Sequence, residues 1–178
     1  MDYAQPPEAI ITDLINNSNG TTFVSSHLAF GSPFLPSEDD GAPRNTLLSV
    51  TAADGSPFTG TVVLEYNRLP FSYLVDGHAA AFFRGDAERV SDLLPQINAR
   101  YGVQIGIADI IDAPLAEPNE DETPVAFTLV ASPSALVWQG EQTFMLLDGE
   151  VPDHARVSSN GFYRLTLDAR FRTTPVPA

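Results

Sequence analysis

Apolar positions along the chain recur mostly at every second residue, the spacing of strands with one buried face. Residues 45–53 set Leu48, Val50 and Ala52 against Ser49 and Thr51. Residues 59–69 place Val62, Leu64 and Tyr66 on one face, and Pro70 ends that strand or confines its continuation to an edge. Phe71, Tyr73 and Leu74 follow as expected caps of the core. Residues 125–131 alternate through Val125, Phe127, Leu129 and Ala131, and residues 136–147 carry Trp138 and Phe144 as large core or rim groups. Residues 21–30 and 79–83 read as further short strands. The cleanest alternation is in residues 162–171. There Tyr163, Leu165, Leu167, Ala169 and Phe171 oppose Phe162, Arg164, Thr166, Asp168 and Arg170, so one face should be buried and the other solvated. Asp54-Gly55, Asp76-Gly77 and Asp148-Gly149 mark turns between these runs.

Two segments switch to helical spacing. In residues 8–15, Ile10, Ile11, Leu14 and Ile15 share a face behind Pro6-Pro7, and the polar run from Asn16 to Gly20 ends the helix. Between Asp86 and Tyr101, the residues Val90, Leu93, Leu94, Ile97 and Tyr101 trace one stripe. Asp86 is the expected N-cap, with Arg89 at the capping-box position and Gly102 at the C-cap. Pro95 should kink this helix or split it. Residues 105–111 predict a short helical or β-turn. Together these elements predict a mainly β fold with some helix: an Ig-like two-sheet β-sandwich with an inserted helix and a short N-terminal helix. A single domain, residues 8–171, is expected between a flexible N-terminal arm (1–7) and a C-terminal arm (172–178). No period indicates a solenoid.

Charge and composition narrow the functional classes. The formal net charge is −14, and all nine basic residues are Arg. Such a surface repels nucleic-acid phosphates and anionic lipid, and keeps a protein soluble. Cys is absent, which removes disulfides and thiolate metal sites. No apolar run reaches bilayer length, and the first residues lack the pattern of a secretory signal, so neither membrane nor export is expected.

Candidate chemistry is sparse. His27, His78 and His154 are too far apart for zinc-ligand spacing. Nucleophile-elbow, dinucleotide and phosphate-loop motifs are absent. The acidic runs 38–40 and 117–122 do not match a calcium loop. Asp109 and Asp112, three apart in an apolar segment, are expected to brace a turn. Arg164, Arg170 and Arg172 form the one local basic group. Trp138, Tyr66, Tyr73 and Tyr163 offer faces for sugar stacking, with core packing the simpler role. No catalytic, cofactor-binding or metal-ligating residue is expected, and the chain reads as a non-enzyme.

Several blocks together resemble a domain of tailed-phage virion proteins whose function is uncharacterised. They are the apolar helix from Ile10 leading into Asn16, Asn17 and Asn19; the triplet Tyr66-Asn67-Arg68; the run Leu93-Leu94-Pro95-Gln96-Ile97-Asn98; and Asp109-Ile110-Ile111-Asp112. The resemblance spans roughly residues 8–147, as a single copy of the domain. It implies a structural subunit of a virion, such as a head decoration, neck or tail protein, multi-copy and in contact with other virion proteins. The alternative is a carbohydrate- or receptor-binding module of a fibre. Residues 148–178 have no counterpart in it and are expected to add a strand or arm that engages a neighbour.

Overall fold

The computed structural model describes residues 2–36, 44–75, 81–117 and 123–147. The expected turns at Asp76-Gly77 and Asp148-Gly149, the acidic run 38–40, most of 117–122, the strand 162–171 and the C-terminal arm lie outside them, as do His78 and His154. The described chain is mixed α and β, with two helices and three small sheets.

Helix α1 (Pro7–Asn19) is longer than its apolar stripe predicts. Thr12 Oγ1 donates to the Glu8 carbonyl within the helix, and Gly20 ends it at φ 65°. A 3-10 turn (Ser25–His27) leads into β1 (Leu28–Phe30), where a longer strand is expected from the sequence. Strand β2 (Thr46–Ala52) pairs antiparallel with β1 and with β3 (Thr61–Tyr66). Strand β4 (Leu69–Pro70) pairs parallel with β7 (Trp138–Gln139). Strand β5 (Ala81–Phe83) pairs parallel with β8 (Glu141–Leu147), whose other side takes β6 (Val125–Val130) antiparallel. The expected strand at 136–147 is thus two, broken at Gly140 with φ 71°. The described strands form three small sheets where two were expected, and the parallel pairs depart from the antiparallel ladders of an Ig-like sandwich.

The predicted 86–101 helix begins late. Pro95 splits it into a 3-10 turn (Val90–Leu93) and α2 (Leu94–Tyr101). Asp92, not Asp86, serves its N-terminus: its Oδ2 accepts from the Glu88 and Arg89 amides at 3.0 and 2.9 Å. Residues of the expected N-terminal arm touch the domain. Gln104 N donates to the Tyr3 carbonyl at 2.8 Å, and the Tyr3 ring lies 6.4 Å from that of Trp138. Burying an aromatic ring outweighs the entropy of a short free tail.

The fold uses one unit twice, although no repeat is apparent from the sequence pattern. At the end of α1, Asn16 Oδ1 accepts from the Phe23 amide and Nδ2 donates to the Phe23 carbonyl, both at 2.8 Å. At the end of α2, Asn98 holds Ile105 by the same two bonds at 2.9 Å. Gly20 and Gly102 close the two helices in the left-handed conformation, and each gives its amide to the carbonyl of that Asn. The 3-10 turns at Ser25–His27 and Ile107–Asp109 follow at the same distance. The last residue of each turn accepts a backbone bond at 2.9 Å, His27 from Ala53 and Asp109 from Ser132. The next residues, Leu28 and Ile110, pair with Ala52 and Ala131. Those two alanines donate to Gly60 and Gly140, the positive-φ residues that open β3 and β8. Unit one is therefore α1–β1–β2–β3, and unit two is α2–Ile110–β6–β8.

One hydrophobic core draws on both units. Phe71, Phe82, Leu93, Ile97, Phe144 and Leu146 are essentially inaccessible. Tyr73, expected in the core cap, is 66% exposed, because the 3-10 turn at Phe71–Leu74 points only Phe71 and Leu74 inward.

Candidate functional site

The two units differ at one edge. In unit two, β5 lies along β8 with Ala81, Phe82 and Phe83 opposite Met145, Leu146 and Leu147. Helix α2 holds β5 there. Gln96 accepts from the Phe83 amide and donates to its carbonyl, and Arg100 Nη1 donates to the Ala81 carbonyl at 2.9 Å. Phe82 fills the space beneath, edge-on to Phe144 at 5.2 Å and to Tyr101 at 6.3 Å.

In unit one the corresponding edge belongs to β3. Aligning the two hairpins at Gly60 and Gly140 sets Glu65, Tyr66 and Asn67 in the places of Met145, Leu146 and Leu147. Among the described residues no strand pairs there, since β3 is the last strand of its sheet. A groove of about 530 Å³ runs along it instead, between β3 and α1. Its walls are Leu64, Glu65, Tyr66 and Asn67 on one side and Ile10, Ile11 and Leu14 on the other. Consecutive strand residues point to opposite faces, so Leu64, Glu65 and Tyr66 in a row can line one groove only if it follows the strand's edge. Ser18 and Asn19 also line it, at the helix positions that Arg100 and Tyr101 hold in unit two. Val62 and Val63, on opposite faces of the same strand, are 65% and 60% exposed. An exposed apolar edge with unpaired backbone groups is a template for another strand. A helix-walled groove beside such an edge is the geometry of strand addition, in which main-chain bonds give affinity and pockets select side chains.

The residues singled out in the sequence act mostly as braces around this site. The Tyr66 hydroxyl donates to the Leu136 carbonyl at 2.5 Å, and burial pushes its pKa up to about 12 against the influence of Arg68. Asn67 Oδ1 accepts from the Asn45 amide, and Arg68 donates to the carbonyls of Pro133 and Ala135. The Tyr66-Asn67-Arg68 triplet therefore ties β3 to the approach of β7. Asp112 joins the α2 segment to the 110–114 strip: its Oδ2 meets Arg89 Nε at 2.5 Å and its Oδ1 accepts from the Ser91 amide at 2.9 Å. The hydrogen bond from Arg89 holds the Asp112 carboxyl below the usual carboxylate range, so its support is present above the unfolded-state pKa and fades as pH falls through the folded one.

Asp109 is buried, and its Oδ2 accepts from the Gly106 amide at 2.8 Å. Burial pushes its pKa up, the Gly106 bond opposes that shift, and Glu8 reinforces it. The fold therefore binds the Asp109 proton better than the unfolded chain does. Its contribution is most favourable below the unfolded-state pKa and declines as pH rises through the folded one. Asp109→Asn keeps an acceptor for Gly106 and removes the buried charge. It is expected to raise stability at neutral pH and to abolish that decline, as read from urea midpoints across the acidic range.

Other candidates do not converge. Among the described residues no three His, Asp or Glu side chains could share a metal ion, and no helix is long and apolar enough to cross a membrane. His27 sits beside the Phe58 ring at 5.7 Å. Trp138 and Tyr66 are buried, which takes two of the four proposed sugar-stacking faces out of reach; Tyr73 stays exposed and Tyr163 lies outside the described residues. Sequence reasoning missed the groove. Its one trace is the spacing Ile-Asn-x-x-x-Gly at Ile15 and again at Ile97.

No curated protein matches the chain, and no solved structure does. Residues 1–151 match the model of a family of unknown function, DUF7941, and the chain belongs to that family.

Proposed function

We propose that this protein is a structural subunit of a tailed-phage particle and works by binding other polypeptides, above all through the groove between α1 and β3. The outer edge of β3, along which no described strand lies, carries this reading, because unit two has the corresponding edge completed by β5. The resemblance of the Leu93–Asn98 and Asp109–Asp112 blocks to a virion protein domain supplies the setting. Residues that resemblance singles out brace the fold: Leu93 and Ile97 pack the core, Gln96 and Asn98 hold backbone, and Asp109 and Asp112 pin turns. The acidic surface suits a basic protein partner. A two-sheet sandwich belongs to the same proposal, with the three-stranded sheets β1-β2-β3 and β5-β8-β6 as its layers.

The test is incorporation into particles. Val62→Lys combined with Val63→Lys changes two exposed side chains, so the fold should persist, and edge lysines block strand pairing. Quantitative mass spectrometry of purified particles should show the double variant depleted about tenfold, the cost of roughly one lost interaction. Normal incorporation would remove β3 as the contact, and absence of the unmodified protein from particles would remove the virion role.

A further inference from the structure

We infer that the tip of unit one, the loop 53–59, is a docking site for an extended segment of a different polypeptide, one with an arginine three residues ahead of an aromatic ring. The same tip in unit two shows what such a site takes, because it is filled within this chain. The two loops are equivalent. Loop 53–59 runs from Ala52 to Gly60 and loop 132–139 from Ala131 to Gly140, each pair joined by a backbone bond. Each loop opens with the same turn: Ser56 N donates to the Ala53 carbonyl and Ala135 N to the Ser132 carbonyl, both at 3.0 Å. Each sets an aromatic ring two residues before its glycine, Phe58 and Trp138. Phe23, the residue clamped by Asn16, meets Phe58 edge-on at 4.7 Å, and His27 lies 5.7 Å from it.

The two tips differ in what covers them. Segment 66–71 of unit one receives the tip of unit two. The Tyr66 hydroxyl donates to the Leu136 carbonyl, Arg68 Nη1 to the carbonyls of Pro133 and Ala135 at 3.3 Å, and the Leu69 amide to the Val137 carbonyl at 2.8 Å. Leu69 and Pro70 run parallel to Trp138 and Gln139, and the Phe71 ring stacks on Trp138 at 5.3 Å. Trp138 is buried as a result, whereas Phe58 is 42% exposed, and so is Val24 at 50%, the residue before the turn that carries His27. Exposed apolar side chains grouped around a packed aromatic ring mark a contact surface. A second copy cannot cover it with segment 66–71, because its own loop 132–139 already fills that segment. The same chemistry on another polypeptide fits: its ring against Phe58, its strand parallel to Phe58-Thr59, its arginine at the carbonyls of Asp54 and Ser56. Those two residues stand where Pro133 and Ala135 stand in unit two. Asp54 adds a carboxylate that Pro133 lacks, complementary in charge to the incoming arginine.

The probe is a synthetic hexapeptide with the sequence of residues 66–71, Tyr-Asn-Arg-Leu-Pro-Phe, titrated into the full chain at about 0.15 M salt and followed by amide NMR shifts. Shifts at Val24 and at residues 54–59, Pro57 aside, should saturate with a dissociation constant on the order of 1 mM or below, modest because a free peptide loses conformational freedom on binding. The Arg68→Ala and Phe71→Ala versions of the peptide should each bind about tenfold more weakly, and these controls leave the protein untouched. Asp54→Asn in the protein should weaken the parent peptide about threefold and leave the Arg68→Ala peptide unchanged. Phe58→Ser should abolish the shifts while the β6 and β8 amides keep their positions. Absence of tip shifts up to about 5 mM peptide would overturn the inference, as would shifts that survive both peptide substitutions or that fall on loop 132–139 alone. A dimer of the unmodified chain that Phe58→Ser dissociates, seen by light scattering, would assign the tip to a second copy and also overturn it. The experiment involves neither particles nor the α1–β3 groove, so the proposed function and this inference fail separately.

Discussion

Phe82→Ala is expected to destabilise the protein by about 3–5 kcal/mol, the cost of emptying a fully buried phenylalanine site. Phe82 is 1% exposed and meets Phe144, Phe127 and Tyr101, while the Arg100 guanidinium lies 5.3 Å from its ring centre. It is the anchor of β5, a strand with only three paired residues. Removing the ring therefore frees the edge of β8 as well as opening a cavity. Typical domains have about 5–15 kcal/mol in all, so the variant should sit near the limit of folding. Urea titration followed by tryptophan fluorescence of Trp138 gives the midpoint; a shift worth under about 1 kcal/mol would show that β5 does not anchor unit two. Phe82→Leu, which keeps most of the volume, should cost less than half as much.

Asn98→Ala should cost about 2–4 kcal/mol. The side chain satisfies both backbone groups of Ile105, which is 2% exposed, so the alanine leaves a buried N–H and a buried C=O without partners. Asn16→Ala makes the same deletion in unit one, but Phe23 is only half-buried and water can replace the lost bonds. The smaller loss expected there, about 1–2 kcal/mol, tests whether burial sets the difference between the units. Equal losses would mean that the two clamps matter only as local turns. Exchange at the Ile105 amide should rise in Asn98→Ala before global unfolding begins.

The equivalence of the units also gives a rationale for the groove. Alanine, phenylalanine and phenylalanine enter the edge of β8 because α2 offers Gln96, Arg100 and Tyr101 to hold them. The matching positions of α1 are Leu14, Ser18 and Asn19, a shorter and less charged set. Under the proposed function, a strand bound in unit one would meet weaker side-chain clamping, which suits exchange of one strand for another.

Much of the local structure was legible from side-chain spacing. Alternation located β2, β6 and β8, because Leu48, Val50, Phe127, Leu129, Phe144 and Leu146 must leave water on one face. Pro95 divided the second helical segment because it lacks an amide to give to the preceding turn. Asp109 and Asp112 act as turn braces, the role that short carboxylates in an apolar segment suggest. The same reasoning misplaced Tyr73, and it set Val62 on the face of Leu64 and Tyr66 without showing that Val62 would stay exposed. Periodicity tells which residues share a face, but whether that face is covered depends on what packs against it.

What the amino-acid order determined by itself was therefore the kind of each element and its apolar side, since both follow from contacts a few residues apart. Which strands became neighbours, that β5 lies parallel to β8, that two units share one plan, and that no described strand lies along the outer edge of β3 were decided only in three dimensions. Those outcomes depend on contacts between residues far apart in the chain, such as Phe82 with Leu146, Leu69 with Trp138 or Ile110 with Ala131. Short-range preference makes a strand but does not choose its neighbours, because pairing joins distant segments and is a property of the assembled fold.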